Sequence, residues 1–499
     1  MRQRVTFITK PIHAIDPATL TVSGGTLTGP TITAIREDRL TFAVDELPGA
    51  LQGILRKAHE LHIKWSNASP SETLGPLLSR IPPGFHVFFT PQDSSVAESE
   101  SICLALKSLF GDINCHTPKH SFTMLDQGRF SLATAAQYYQ QMDSLAHFSD
   151  HLERMLCLPE DAACVAELGR LDDAASMDIS YDTISHALKF TLQSPYQQQP
   201  LHITSQPGVR TEVGIMAEDK PPNLEEFEIG MSGLLAVLGQ DDKPSPTLFS
   251  FPSRHREAEG TFDVKLLEPT GLHPTLQLRI HHSQRPLEDS SCAIHAYFTL
   301  PRYIFPDKYQ LSDNLFLDSK NLTALRYISQ PVDLEAPEYV MHSWGSAILL
   351  ELAHQPDHVL EKGWTAEVPL HLRYLSPVEG GYQYRAIPYP TLFWACHAEE
   401  GTKFPTNPFE RVNLGYDGLF GPRTVFFHIP PSPSVKQLES KITIPVLDAS
   451  KTGWVNAGTA AAILLGFTWV LWKLFVSFRQ QGNNKPVTKS KAALDKKRK

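Results

Sequence analysis

The sequence predicts a mainly β protein with some α: a mixed α+β N-terminal domain, an antiparallel β-sandwich-like second domain and one C-terminal transmembrane helix. Three observations carry this reading. From Thr452 to Trp472 there are 21 residues without a charge, enough for a helix of about 31 Å, against a hydrocarbon core of ~30 Å. Between 248 and 451, short alternating apolar runs recur with proline and glycine between them, the pattern of an antiparallel sandwich. Before 239, helical and strand-like spacings are mixed. With 499 residues, 41% of them hydrophobic, the chain has the apolar content for a core and the length for two or three domains. Its 39 prolines are about 8% of the chain, against a usual ~5%, and favour turns and short strands. A net charge of -9 argues against a general nucleic-acid binder, and six cysteines are too few for a disulfide scaffold.

In the first domain, strands are expected at 4–9, 85–90, 184–192 and 209–216. Leu51, Ile54, Leu55, Ala58, Leu61 and Trp65 follow helical spacing after Pro48-Gly49. A second helix is expected over 138–157, with Met142, Leu145, Phe148, Leu152 and Leu156 on one face. The turn-rich Gly239-Gln-Asp-Asp-Lys-Pro-Ser-Pro246 marks a boundary. The expected organisation is therefore 1–238, a linker at 239–247, 248–451, a span at 452–478 and a tail at 479–499. In the second domain, alternation at Phe262/Val264/Leu266 and at Leu276/Leu278/Ile280 predicts strands. The clearest run is Val368, Leu370, Leu372 and Tyr374, and further strands are expected at 292–300, 347–352, 390–395 and 424–429. Cys292 and Cys396, alone in that domain, are a candidate disulfide; Cys103, Cys115, Cys157 and Cys164 allow three pairings. Six buried thiols are the alternative.

Charge around the span predicts its orientation. Arg479 to Lys499 holds eight Lys/Arg and one acid, a sum of +7, leaving 37 - 53 = -16 for the rest. The twenty residues before the span hold three lysines. The positive-inside bias then places the tail in the cytosol and residues 1 to about 451 in a lumen or outside the cell. Trp454, Trp469 and Trp472 suit the interfaces, and Lys473 can snorkel. Lys496 and Lys497 are placed as in a dilysine retrieval signal, an address for the endoplasmic reticulum; a polybasic patch on anionic lipid is the alternative. The first twenty residues lack the apolar run of about 7–15 residues that a cleavable signal peptide needs. The span itself is then the expected targeting signal. Sequons at Asn67 and Asn321 agree with a lumenal body, Asn321 being the stronger because Pro70 follows the first.

Catalytic patterns are missing from the sequence. There is no G-x-S-x-G, H-E-x-x-H, P-loop, G-x-G-x-x-G or D-x-D. His59-Glu60-Leu61-His62 comes nearest to a zinc string, but its histidines are three apart and are expected on a solvated helix face. Gly458, Ala462 and Gly466 lie four apart and share a face of the span, a small-x-x-x-small pattern that allows a second helix to approach closely.

The stretch Leu370-His-Leu-Arg-Tyr-Leu-Ser-Pro377, then Gly380-Gly-Tyr382 and Pro390-Thr-Leu-Phe-Trp-Ala-Cys396, resembles the signature of the PIG-X family, as do Pro301-Arg302-Tyr303 and Asp333-Leu-Glu-Ala-Pro337. The longer N-terminal part is similar to the fungal, Pbn-type branch. The resemblance implies a non-catalytic subunit, without cofactor, of glycosylphosphatidylinositol mannosyltransferase I in the endoplasmic-reticulum membrane. Such a subunit stabilises a multi-span catalytic partner that adds the first mannose, and also supports other proteins of that compartment. It carries over Arg373, Tyr374, Pro377, Trp394 and Cys396 as family-motif residues, none of them catalytic. Physically, Arg373 and Tyr374 inside a strand, and Trp394, suit either core packing or partner contact. A general lumenal chaperone, or a carbohydrate- or protein-binding receptor on one span, is the competing reading.

Overall fold

Alternating apolar residues along most of the chain, read against their neighbours in register, assemble into strands. A computed structural model describes residues 1–13, 15–124, 135–158, 160–268, 271–287, 292–329, 333–353 and 355–483. Within these residues the largest sheet has 12 strands. Its order is Ser245–Pro252, Glu228–Val237, Arg210–Asp219, Arg2–Thr9, Ile32–Ala43, Ala187–Gln193, Ser176–Asp182, Ala58–Ser66, Gly84–Pro91, Ala136–Gln140 and Thr123–Met124, with Gln197–Gln199 beside Ile32–Ala43. Arg2–Thr9 runs parallel to Arg210–Asp219, and the other pairings among the described residues of this sheet are antiparallel.

Both faces of this sheet are buried over its central strands. On one, Leu61, Ile63, Trp65, Phe85, Val87 and Phe89 join a core with the helices Ser101–Phe110 and Ala146–Leu156. Phe110 stacks on Phe148 (4.6 Å) and packs at a tilt against Phe85 (4.7 Å). The opposite face is unusually polar. A single register row runs Glu212, Arg4, Arg39, Thr191, Asp178, Lys64, His86, Tyr139 across eight strands. In-register opposite charges support a sheet only where they pair. Lys64 and Asp178 form a buried ion pair. Glu37, 1% exposed, accepts from Arg39 at 3.1 Å and from Arg411 at 2.6 Å. Burial alone would raise the Asp178 carboxyl; the charges of Lys64 and Arg411 outweigh it and hold the group below its ordinary value.

A second sheet covers part of that polar face. Its order is His255–Glu257, Thr424–Ile429, Thr391–His397, Ala293–Pro301, Gly345–Leu352 and Leu322–Ile328. Tyr297 of this sheet shares hydrogen bonds of 3.2 and 3.3 Å with Gln137 of the first. Trp344, just before the second sheet's Gly345–Leu352 strand, packs edge-on against Tyr139 at 5.5 Å. A smaller sheet, Thr261–Leu266, Thr275–His281 and Trp364–Pro369, lies alongside in sequence. The chain separates into two compact units: Met1–Leu375 with Tyr384–Ile442, and Ser376–Gln383 with the segment from Thr443 onward.

Several sequence expectations shift in detail. The helix expected over 51–65 is a helix only at Gly49–Leu55; Ala58–Ser66 is a strand. The same apolar positions from Leu61 to Trp65 also satisfy period two, and hydrogen bonding to strands on both sides decides between the two periods. The 138–157 helix likewise divides into strand Ala136–Gln140 and helix Ala146–Leu156, because Tyr138 pairs with Val87 in the sheet. The alternation from Val368 to Tyr374 belongs to two sheets: Trp364–Pro369 pairs with Thr275–His281, and His371–Leu372 with Ile304–Phe305. Residues 239–247, expected as a linker, lie in the hairpin of Glu228–Val237 and Ser245–Pro252. The strand after the break thus joins the sheet before it. Cysteines pair as Cys103–Cys115, Cys157–Cys164 and Cys292–Cys396.

Lys64→Met strands a carboxylate in the interior and should cost about 3–5 kcal/mol of stability, measured by denaturant unfolding of the full chain, with Lys64→Met/Asp178→Leu recovering most of it. Because the Asp178 value is depressed on folding, the stabilisation is complete above the unfolded range, about 3.9, and fades as pH falls toward the folded value. A single variant as stable as the wild type would show that the pair contributes nothing.

Candidate functional site

Three motif segments distant in sequence meet around one guanidinium. His371–Leu372 pairs with Ile304–Phe305, and the Arg373 N–H donates to the Tyr303 carbonyl at 2.9 Å. This places the Arg373 side chain inside the fold, 5% exposed. Its Nη1 donates to the Ala336 carbonyl at 2.8 Å, and its guanidinium lies 4.2 Å from the centre of the Phe305 ring. The Asp333 carboxylate shapes the loop that supplies the carbonyl, accepting from the Glu335 and Ala336 N–H groups at 2.9 and 3.0 Å. Those bonds keep the Asp333 carboxyl below its ordinary value. Arg302 pairs with Glu338, whose N–H donates to the Tyr374 carbonyl at 2.9 Å. The Tyr303 hydroxyl donates to the Ala386 carbonyl.

The two adjacent motif residues have opposite environments. Arg373 fastens the loop from within, whereas Tyr374 is 69% exposed. Tyr339, next to Glu338, is 63% exposed, and Val340 follows it in the open. Buried arginine thus supports an aromatic surface, the composition that interfaces favour. Trp394 is core: its Nε1 donates to the Ser283 hydroxyl at 3.0 Å. Cys396, within the strand Thr391–His397, bridges to Cys292, the residue just before its paired strand Ala293–Pro301.

Pro377 lies in the second unit, with Gly380 and Gly381. These glycines take φ of 82° and 74°, which disfavour any residue with a Cβ. The Gly381 carbonyl accepts from the Val446 N–H at 2.9 Å, and the Val378 carbonyl from that of Ala449 at 3.0 Å. The motif therefore clasps the segment that leads into the helix Thr452–Asn483. That helix is long and apolar enough to cross a membrane, and its apolar stretch is exposed rather than packed on the body. Gly458, Ala462 and Gly466 are exposed on it, and a Cβ added at either glycine would meet nothing within 4 Å. Lys473 lies over the rings of Trp469 and Trp472, at 5.7 and 5.3 Å.

Asn321 is exposed, in a left-handed turn of φ 55°, with its Nδ2 donating to the Thr365 carbonyl at 2.7 Å. Asn67 is half-buried and donates to the Ala174 carbonyl at 3.1 Å. Lys496 and Lys497 lie outside the described residues. The His59–His62 string is on a strand, not on a helix face, and buried His62 sits 3.8 Å from Glu60. Among the described residues no group of three or more His, Cys, Asp or Glu is placed to hold a metal ion. The rings of His255 and His428 are stacked, with His255 Nδ1 and His428 Nε2 2.9 Å apart. Burial lowers His255 to about 3 and keeps both neutral, as core residues.

Arg373→Gln removes the stacked cation and should cost about 1–3 kcal/mol. Tyr374→Ala should change stability by about 0.5 kcal/mol or less. Thermal unfolding of the full chain in detergent separates them; equal losses would show that Tyr374 packs as core.

A family model described as PIG-X / PBN1 matches residues 269–475. "Protein pbn1" of Neurospora crassa is 57% identical over 97% of each chain. "Protein PBN1" of Gibberella zeae is 44% identical over 100% of each, and "Protein pbn1" of Emericella nidulans 42% over 97% of each. The similarity runs through the first sheet, the motif surface and the membrane helix alike, and the chain belongs to the PIG-X / PBN1 family.

Proposed function

We propose that this protein is a non-catalytic, stabilising subunit of the endoplasmic-reticulum mannosyltransferase that adds the first mannose to the glycosylphosphatidylinositol precursor. The observation that carries the reading is membership of the PIG-X / PBN1 family along the whole chain. The partner is the multi-span catalytic subunit, and other proteins of the compartment are further clients. The membrane helix supports this role: its small-residue face is unpacked, and packing of such faces drives helix association in lipid. The exposed Tyr339 and Tyr374 offer a second contact on the soluble body. The charge difference across the span, +7 after it, favours a lumenal body and a cytosolic tail. Lys496 and Lys497 serve as the retrieval address, and the Cys292–Cys396 bridge suits an oxidising lumen.

Deleting the protein should reduce the amount of the multi-span partner and stall the lipid before its first mannose; normal levels and normal mannosylation would refute the role. In the same assay Tyr339→Ala/Tyr374→Ala and Gly458→Leu/Gly466→Leu should each lower co-purification of the partner at unchanged levels of this chain. Full recovery of the partner with both double variants would exclude these surfaces. For topology, Asn321→Gln should abolish a glycosidase-sensitive mobility shift and Asn67→Gln leave it intact. Protease sensitivity of the body in sealed microsomes, without any shift, would reverse the orientation.

A further inference from the structure

The polar face of the first sheet is not filled completely. Between it and the strands that cover it lies a cavity of about 120 Å³, room for several waters or one phosphate-sized group. Three cations line it, Lys64, Arg80 and Arg411, against one carboxylate, Asp178. Two of the cations are matched: Lys64 by Asp178, and Arg411 by Glu37 behind the wall. Arg80 is not. Its Nη2 donates to the Thr73 hydroxyl at 2.8 Å, and no carboxylate among the described residues lies within 4.0 Å of it. Burial pulls its guanidinium below the ordinary value, and the more distant Glu257 only partly offsets this.

The rest of the lining suits an oxyanion. Three hydroxyl-bearing residues, Thr73, Ser176 and Thr391, line the cavity from three separate segments. The Arg80 carbonyl accepts from the Tyr416 hydroxyl at 2.7 Å, which anchors the backbone behind the guanidinium. Ser69, at the rim, is exposed and leaves an approach from solvent. A half-buried cation whose charge the more distant Glu257 only partly offsets is costly. Water in the cavity would hydrate Arg80 but would not neutralise it, and a neutral sugar would use the hydroxyls while leaving the same charge. A planar guanidinium presents two parallel N–H donors to a phosphate edge.

We propose that this cavity binds a phosphate-class oxyanion, held by Arg80 with Lys64 and Arg411 and by the Thr73 and Thr391 hydroxyls. Free phosphate and the phosphomonoester of a lipid or sugar headgroup share this chemistry. The site does not depend on the mannosyltransferase reading, since every residue named belongs to this chain's soluble body.

The test is titration calorimetry on the purified full chain in detergent, at constant ionic strength, with inorganic phosphate as the first probe. Saturable binding is expected, weakened at least tenfold by Arg80→Gln and less by Arg80→Lys, which keeps the charge but loses the fork. Thr73→Val, which leaves every charge in place, should weaken it several-fold and serves where Arg80→Gln does not fold. Absence of saturable binding, or equal binding by wild type and the Arg80→Gln or Thr73→Val variant, overturns the proposal; so does equal binding of uncharged mannose. Glycerol phosphate as the second probe distinguishes the sources. Tighter binding than inorganic phosphate supports an esterified headgroup, and weaker binding supports the free ion.

Discussion

The fold depends on burying a row of charges. Most sheets with one charged face turn it to solvent; here the face carrying Glu37, Arg39, Asp178 and Lys64 is enclosed. Each charge must then be met by another, and the partners come from distant segments, above all Arg411, 374 residues from Glu37 in sequence. This requirement couples the N-terminal sheet to the C-terminal half more tightly than apolar contact would, because a misplaced cation costs more than a misplaced methyl. It also accounts for the way the two sheets meet through hydrogen-bonding residues, Gln137 with Tyr297 and Trp344 with the Gln137 carbonyl at 2.8 Å.

A body held in this way can offer its motif residues without moving them. The loop 333–338 has little regular structure beyond one short turn, Glu338–Val340, yet Arg373, Arg302 and the Asp333 turn tie it to the strands. The aromatic residues that project beside it are therefore presented from a fixed base. At the foot of the membrane helix, Gly380 and Gly381 do the corresponding task for the second unit, with backbone hydrogen bonds in place of side chains.

Strand positions in the second half were legible because alternation there has one interpretation: Phe262, Val264, Leu276, Leu278 and Ile280 are all buried on adjacent strands. Leu51 to Trp65 was ambiguous because the same apolar residues fit both periods, and the strand pairing that resolves them is non-local. The polar row is not legible in the sequence for a related reason. Lys64 between Ile63 and Trp65, or Glu37 and Arg39 around Asp38, reads as a solvated face in isolation. The motif pair Arg373-Tyr374 was visible, but neither its division into buried and exposed members nor the convergence on Ala336 was.

The sequence by itself determined the membrane helix, the mainly β character and the family, since an uncharged run of 21 residues, local alternation and motif identity are all one-dimensional properties. Only the tertiary structure decided which faces are covered, how the six cysteines pair, and that the segment at 239–247 turns back into its own sheet. It alone also brought Arg80 to a cavity where no carboxylate among the described residues lies within 4.0 Å of it. Burial and charge compensation are set by residues hundreds of positions apart, and no local pattern records them.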